Sequence, residues 1–186
     1  MTVYIALLRG INVGGKNKIK MADLKRTLES MGLSRVQTYI QSGNVLFESG
    51  ETEEALKVRL EREIEKVFGI ELSVILRTAE ELKRIVTNCP FPAEEVAEAE
   101  ALAQVEVLYV ALLPEAPVPD AVERLNGYSS EADQFRTCGR DMYLLFRHSV
   151  RDSKLAAQLK VLNLPVTVRN WNTMNKLDAL AQAMEA

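Results

Sequence analysis

The spacing of apolar and polar positions changes along the chain, and each change marks an element. Residues 3–8 are a short apolar run, too brief for a core helix and suited to a strand. Val3, Ile5 and Leu7 fall on one face, and Tyr4, Ala6 and Leu8 on the other. Both faces are apolar, which predicts a central strand covered on both sides. Residues 9–19, rich in Gly, Asn and Lys, read as a loop. Met21, Leu24, Leu28 and Met31 recur at helical spacing, and Gly32 supplies the stop. Val36, Thr38 and Ile40 alternate with Gln37 and Tyr39, the period of a half-exposed strand. Ser42-Gly43-Asn44 signals a tight turn, and Val45-Leu46-Phe47 resumes the sheet as a hairpin. A second helix follows with Leu56, Leu60, Ile64 and Val67 on one stripe, ended by Gly69. Leu72, Val74 and Leu76 then alternate as a fourth strand.

Thr78 and Glu81 have capping-box spacing, and Leu82, Ile85 and Val86 face the core of the helix they start. Pro90 and Pro92 end that segment. The second half then repeats the plan. Residues 109–113 echo 4–8, residues 144–146 echo 45–47, and residues 166–169 echo 74–77, at offsets of 105, 99 and 92 residues. Three echoes in the same order, with shrinking offsets, fit a duplicated unit with shorter connections in the second copy. There, residues 117–125 supply a helix, and residues 134–137 and 142–146 flank a Cys138-Gly139-Arg140-Asp141 turn. Ser153 caps a helix carrying Leu155, Leu159 and Leu162. Asn172 or Thr173 caps a last helix carrying Leu177, Leu180 and Met184.

The expected fold class is therefore α+β: a tandem duplication of a ferredoxin-like βαββαβ unit, each copy followed by an extra helix. The first unit with its helix spans residues 1–92, an acidic connection 93–103, and the second unit with its helix 104–186. The first and third strands of each unit are expected to be central and parallel. In that arrangement the 41–44 hairpin lies on the opposite sheet edge from the loop at 9–19, so the two share no pocket within a unit.

Composition narrows the function classes. The chain has 186 residues and a net charge of −3, against the basic balance of a duplex-DNA binder. No apolar run is long enough to cross a bilayer, and Met1-Thr2-Val3-Tyr4 lacks the basic start of a signal peptide. Two distant cysteines, Cys89 and Cys138, do not make a disulfide framework. The expectation is a reduced, cytoplasmic protein with no membrane partner. A single histidine, His148, excludes a His-based metal cluster within one chain, and no cofactor is expected.

Arg9-Gly10-Ile11-Asn12-Val13-Gly14-Gly15-Lys16-Asn17-Lys18 is the most informative stretch. Gly10, Gly15 and Lys16 follow a strand at P-loop spacing. Asn17 stands where the Mg²⁺-binding hydroxyl belongs, and the next helix starts too late, near Lys20, so a nucleoside triphosphatase does not follow. A looser reading keeps the Gly-rich backbone as an N–H nest for an anion, with Arg9, Lys16, Lys18 and Lys20 adding positive potential. The competing reading is a solvated loop whose glycines only permit a reversal. Gln41-Ser42-Gly43-Asn44 is first of all a hairpin turn. Arg169-Asn170-Trp171-Asn172 offers a flat apolar face flanked by directed hydrogen-bonding groups. Against it stands a helix start with Trp171 packed into the sheet. Residues 147–154 carry Arg147, His148, Arg151 and Lys154 before a helix start, where anions are favoured. The strand at 44–48 lacks the aromatic-rich motif of RNA-recognition domains, which leaves single-stranded RNA a minor option.

Three segments carry a resemblance: Ala6-Leu7-Leu8-Arg9-Gly10-Ile11-Asn12-Val13-Gly14-Gly15-Lys16, Tyr39-Ile40-Gln41-Ser42-Gly43-Asn44 and Arg169-Asn170-Trp171-Asn172-Thr173. They resemble the bacterial family labelled domain of unknown function 1697. The resemblance implies a ferredoxin-like duplication and no particular activity. One departure is Arg147-His148-Ser149-Val150-Arg151-Asp152-Ser153-Lys154-Leu155, where relatives tend to carry a Gly-containing stretch before Ser-Lys-Leu.

The leading expectation is a binding protein for a small phosphorylated or otherwise anionic ligand. The residues named for it are Arg9, Asn12, Gly14, Gly15, Lys16, Lys18, Arg169, Asn170, Trp171 and Asn172. An enzyme on a small phosphorylated substrate is the second reading, with Glu48, Asp141 or His148 as acid–base candidates. A homodimerising interaction module is the third.

Overall fold

The computed structural model describes residues 1–186. It is a mixed α and β structure containing two four-stranded antiparallel sheets with helices. The chain divides into two compact units, Met1–Arg84 with Lys176–Ala186, and Ile85–Asn175.

In the first unit the sheet is built from β1 (Thr2–Leu8), β2 (Ser34–Tyr39), β3 (Asn44–Ser49) and β4 (Val74–Thr78), in the order β2-β3-β1-β4. Helices α1 (Met21–Ser30) and α2 (Glu53–Phe68) are the two crossovers. Their stripes, Met21, Leu24 and Leu28 and then Leu56, Leu60 and Ile64, pack with Tyr4, Ala6, Leu8, Val45, Phe47 and Val74 into one core. The opposite face of β1, Val3, Ile5 and Leu7, is buried as well. The doubly apolar run thus lies where its pattern predicts. The expected parallel pairing of the first and third strands is wrong, because β1 and β3 are antiparallel neighbours. The reason is the hairpin. The α1 crossover returns the chain to start β2, and the tight turn then reverses direction before β3 inserts beside β1.

Local chemistry explains the helix ends. Thr52 Oγ1 accepts the N–H of Ala55 to start α2, and Gly69, at φ 67°, ends it in the left-handed conformation. Thr78 and Glu81 form the reciprocal capping box of α3 (Ala79–Thr87): Glu81 N–H donates to Thr78 Oγ1 at 3.2 Å, and Thr78 N–H donates to Glu81 Oε2 at 2.8 Å. The acidic stretch after Pro92 is a helix, α4 (Ala93–Ala103).

The second unit repeats the strand order. β5 (Leu108–Leu112), β6 (Asp133–Cys138), β7 (Asp141–Phe146) and β8 (Thr167–Asn170) run β6-β7-β5-β8. Helix α5 (Pro119–Asn126) connects β5 to β6. The helix expected after Ser153 is broken into α6 (Lys154–Ala157) and a 3₁₀ turn over Leu159–Leu162. Leu155, Leu159 and Leu162 still join the core beside Ala111, Leu144 and Phe146. The last helix, α7, runs Trp171–Glu185.

Register refines the repeat. Tyr4 faces Thr78 and Tyr109 faces Asn170, while Ile5 faces Arg77 and Val110 faces Arg169. The first and last echoes therefore coincide with structurally matching positions. The middle echo is displaced by two residues: Tyr4 faces Phe47 and Tyr109 faces Leu144, so Leu144 matches Phe47 and not Val45. A two-residue slip keeps every side chain on its own face, so an apolar pattern cannot detect it.

Candidate anion site beside the first strand

The loop after β1 is an ordered structure closed by its own hydrogen bonds. Asn12 N–H donates to Asn17 O at 3.0 Å and Lys16 N–H to Val13 O at 3.0 Å. Between them Gly14 and Gly15 stand at φ 58° and 75°. Positive φ at both central residues is the requirement of a type I′ turn, and that turn accounts for the two glycines. Asn12, at φ 54°, holds the base of the loop. Its Nδ2 donates to Ile19 O at 3.1 Å and to Gln41 O at 2.7 Å, and its Oδ1 accepts Ile19 N–H at 2.8 Å. Asn17 Nδ2 donates to Gly10 O at 3.1 Å. Ile11 and Ile19 are buried and anchor the loop to the core.

The loop meets the β2–β3 turn, contrary to the expectation that they lie apart. Leu8 N–H donates to Gly43 O at 2.9 Å, and Asn12 bonds Gln41 as above. The antiparallel register is the cause. Leu7, near the end of β1, faces Asn44, the first residue of β3. The hairpin turn that precedes Asn44 is therefore carried to the end of β1 where the loop begins. Gly43 completes the fit. It has φ 89°, and a Cβ there would lie 2.8 Å from Ile11 Cδ1 and 3.0 Å from Leu8 Cβ.

Between loop and turn lies an open hollow of about 540 Å³, lined by Asn12, Gly15, Lys18, Ile19, Lys20 and Gln41. Two lysines and no acidic side chain line it. Lys20 is also the N-cap residue of α1, and no side chain caps that helix. An ammonium accepts no hydrogen bond, so Lys20 offers α1 only its backbone carbonyl, which accepts Asp23 N–H at 3.0 Å and Leu24 N–H at 3.1 Å, at the positive end of the helix dipole.

The other named residues go elsewhere. Lys16 is exposed on the turn. Arg9 lines a different hollow of about 480 Å³, together with Glu61, Glu65 and Glu71, where the charges are mixed. The Arg169–Asn172 segment belongs to the second unit, and its side chains have separate tasks. Arg169 is 9 % exposed, donates to Val168 O at 3.1 Å, and burial lowers its guanidinium pKa to about 10. Asn170 Oδ1 accepts Thr173 N–H at 2.8 Å, so Asn170, and not Asn172 or Thr173, caps α7. The Trp171 and Tyr143 rings are tilted against each other with centroids 6.3 Å apart, and Asn172 donates to Glu106.

The acid–base candidates also fall outside the hollow. Glu48 lies toward the far end of β3, paired with Arg35. Asp141 opens β7 in the second unit. His148, just past the end of β7, has a partner that spacing did not reveal, because Asp133 lies at the start of β6. Its Nε2 is 3.1 Å from Asp133 Oδ1, and Ser153 Oγ–H donates to Asp133 Oδ2 at 2.8 Å. The serine thus meets the carboxylate and not the imidazole, and its oxygen also caps α6 through Ala156 N–H, so no nucleophile–base pair is formed. Arg147 is held by Glu95, Glu131 O and Gln134.

Comparison with known proteins follows the same lines. The solved structure of the conserved bacterial protein SP0830 from Streptococcus pneumoniae is similar to this chain, with a TM-score of 0.74 and 26 % identity over 97 % of this chain and 98 % of that one. No curated protein matches. A profile of the family described as "Protein of unknown function (DUF1697)" matches residues 1–143, which include both the glycine-rich loop and the hairpin turn. By that match, the chain belongs to the DUF1697 family.

Proposed function

We propose that the protein binds a small phosphate-bearing or otherwise anionic ligand in the hollow between the 12–20 loop and the hairpin turn. One observation carries this reading: Lys18 and Lys20 line the hollow at the start of α1, where the N-cap residue makes no side-chain cap, with no carboxylate among the lining residues. Binding is favoured over catalysis because no carboxylate or imidazole lines the hollow. The test is calorimetric titration with inorganic pyrophosphate at low salt. Lys18→Ala with Lys20→Ala removes two ammonium groups. At about 0.5–1 kcal/mol each, affinity should fall roughly 5- to 30-fold. Unchanged affinity in the double variant, or no heat with the wild-type chain, overturns the assignment.

We also read each unit as ferredoxin-like and the second as a duplicate of the first. The repeated strand order, and the matching partners of Tyr4 and Tyr109 across the sheet, support that reading. The proposed setting is the cytosol, which suits two free thiols, Cys89 and Cys138. No helix is long and apolar enough to cross a membrane.

A further inference from the structure

The second unit holds a hollow of the opposite character. Phe91, Val96, Leu108 and Trp171 give it apolar walls, its volume is about 460 Å³, and Glu100 is the only charged residue lining it. Glu100 also lines a second hollow of about 360 Å³, together with Glu106 and Asn172. The two hollows share Glu100 as a lining residue. The first is an apolar groove with one carboxylate among its lining residues; Glu106 lines only the second and accepts a hydrogen bond from Asn172. Two arginines stand nearby: Arg136 stacks over the ring of the wall residue Phe91 at 5.2 Å, and Arg147 pairs with Glu95.

We propose that this groove binds a small organic cation with an apolar body, its ammonium at Glu100 and its body against Trp171. Volume, wall chemistry and charge point the same way. Pockets of about 300–1,000 Å³ with apolar walls and a few directed polar groups are the usual form of small-molecule sites. Trp is the strongest aromatic partner for a cation, and a carboxylate beside it adds a direct charge pair. An anion here would face Glu100 and is disfavoured by like charge. The site is independent of the lysine hollow, which has the opposite sign and lies in the first unit.

Trp171 is the only tryptophan in the chain, so its emission, excited where the five tyrosines do not absorb, reports on this groove. The full chain is titrated with 2-phenylethylammonium and, separately, with phenylacetate of similar size and opposite charge. The cation should give a saturable change in Trp171 emission, and phenylacetate should bind at least tenfold more weakly. Glu100→Gln, at an exposed position, should weaken the cation about tenfold and leave the response to phenylacetate no weaker. A second readout uses Cys89, which lines the same hollow. In a Cys138→Ser background Cys89 is the sole thiol, and saturating cation should slow its modification by a thiol reagent several-fold. Equal affinity for the two probes, unchanged affinity in Glu100→Gln, a non-saturating response, or no protection of Cys89 overturns the proposal.

Discussion

Replacing Gly43 by alanine tests whether the loop and the hairpin turn are one structural unit. Two costs add. Gly43 sits at φ 89°, where a side chain costs about 1–2 kcal/mol. The new methyl would also lie 2.8 and 2.9 Å from two carbons of Ile11 and 3.0 Å from Leu8 Cβ, inside van der Waals contact. Ile11 and Leu8 are fully buried, so neither yields freely, and overpacking of this kind costs about 1–3 kcal/mol. The sum is roughly 3 kcal/mol. With a urea dependence of about 2 kcal/mol per molar, the unfolding midpoint should fall by about 1.5 M, measured by circular dichroism. Pyrophosphate affinity should fall too, because Ile11 anchors the loop that bears Lys18. A double-mutant cycle with Ile11→Ala isolates the clash. The pair should be less destabilising than the sum of the single changes by about 1–2 kcal/mol, since the truncated side chain leaves room for the methyl. A midpoint shift below 0.3 M (about 0.6 kcal/mol at the same slope), or strict additivity in the cycle, would refute the reasoning.

Three further outcomes follow from the same geometry. Asn12→Asp keeps the shape but loses the Nδ2 donors to Ile19 O and Gln41 O, and should cost about 1–3 kcal/mol by urea unfolding while weakening pyrophosphate binding. Tyr143 Oη–H donates to Ile85 O at 2.6 Å, and burial pushes the phenol pKa well above its ordinary value. The folded state therefore holds a proton that the unfolded chain releases near pH 10. The contribution is fully present below that pH and is lost as pH rises further. Thermal melts between pH 8 and 11 should show a fall in stability that is shallower in Tyr143→Phe. Burial also raises Tyr4 and Tyr109, so the dependence should shrink without vanishing. Ser153→Ala removes a donor to the buried Asp133 carboxylate and the cap of α6, and should lower the urea midpoint by an amount equivalent to about 1–3 kcal/mol. A midpoint unchanged from wild type would show that neither contact contributes.

The strands, most of the helices, the capping box at Thr78 and the repeat of the plan were legible in the sequence, because each rests on local periodicity or on residues three apart. The candidate site was legible only in part. Lys18 and the glycine-rich loop stood out by composition, whereas the role of Gln41 did not, since nothing in a Ser-Gly-Asn turn says what it touches. Asp133 gave no signal at all as the partner of His148, because the two meet across fifteen residues of strand and turn. Arg9, Lys16, Lys18 and Lys20 read as one basic cluster, yet Arg9 lines a different hollow with three glutamates.

What this sequence determined by itself was the series of strands, most of the helices and most of their buried positions, for a strand or helix declares its apolar side at its own period. It also determined that Gly14 and Gly15 would permit a reversal. Tertiary structure decided the direction of β3 beside β1, the register of the second copy, and the meeting of loop and hairpin. Pairing direction and two-residue register shifts leave the apolar pattern of a strand unchanged, so no local period records them. Only when Asn44 is set opposite Leu7 does Gly43 come under Ile11, and the glycine-rich loop becomes one wall of a lysine-lined hollow.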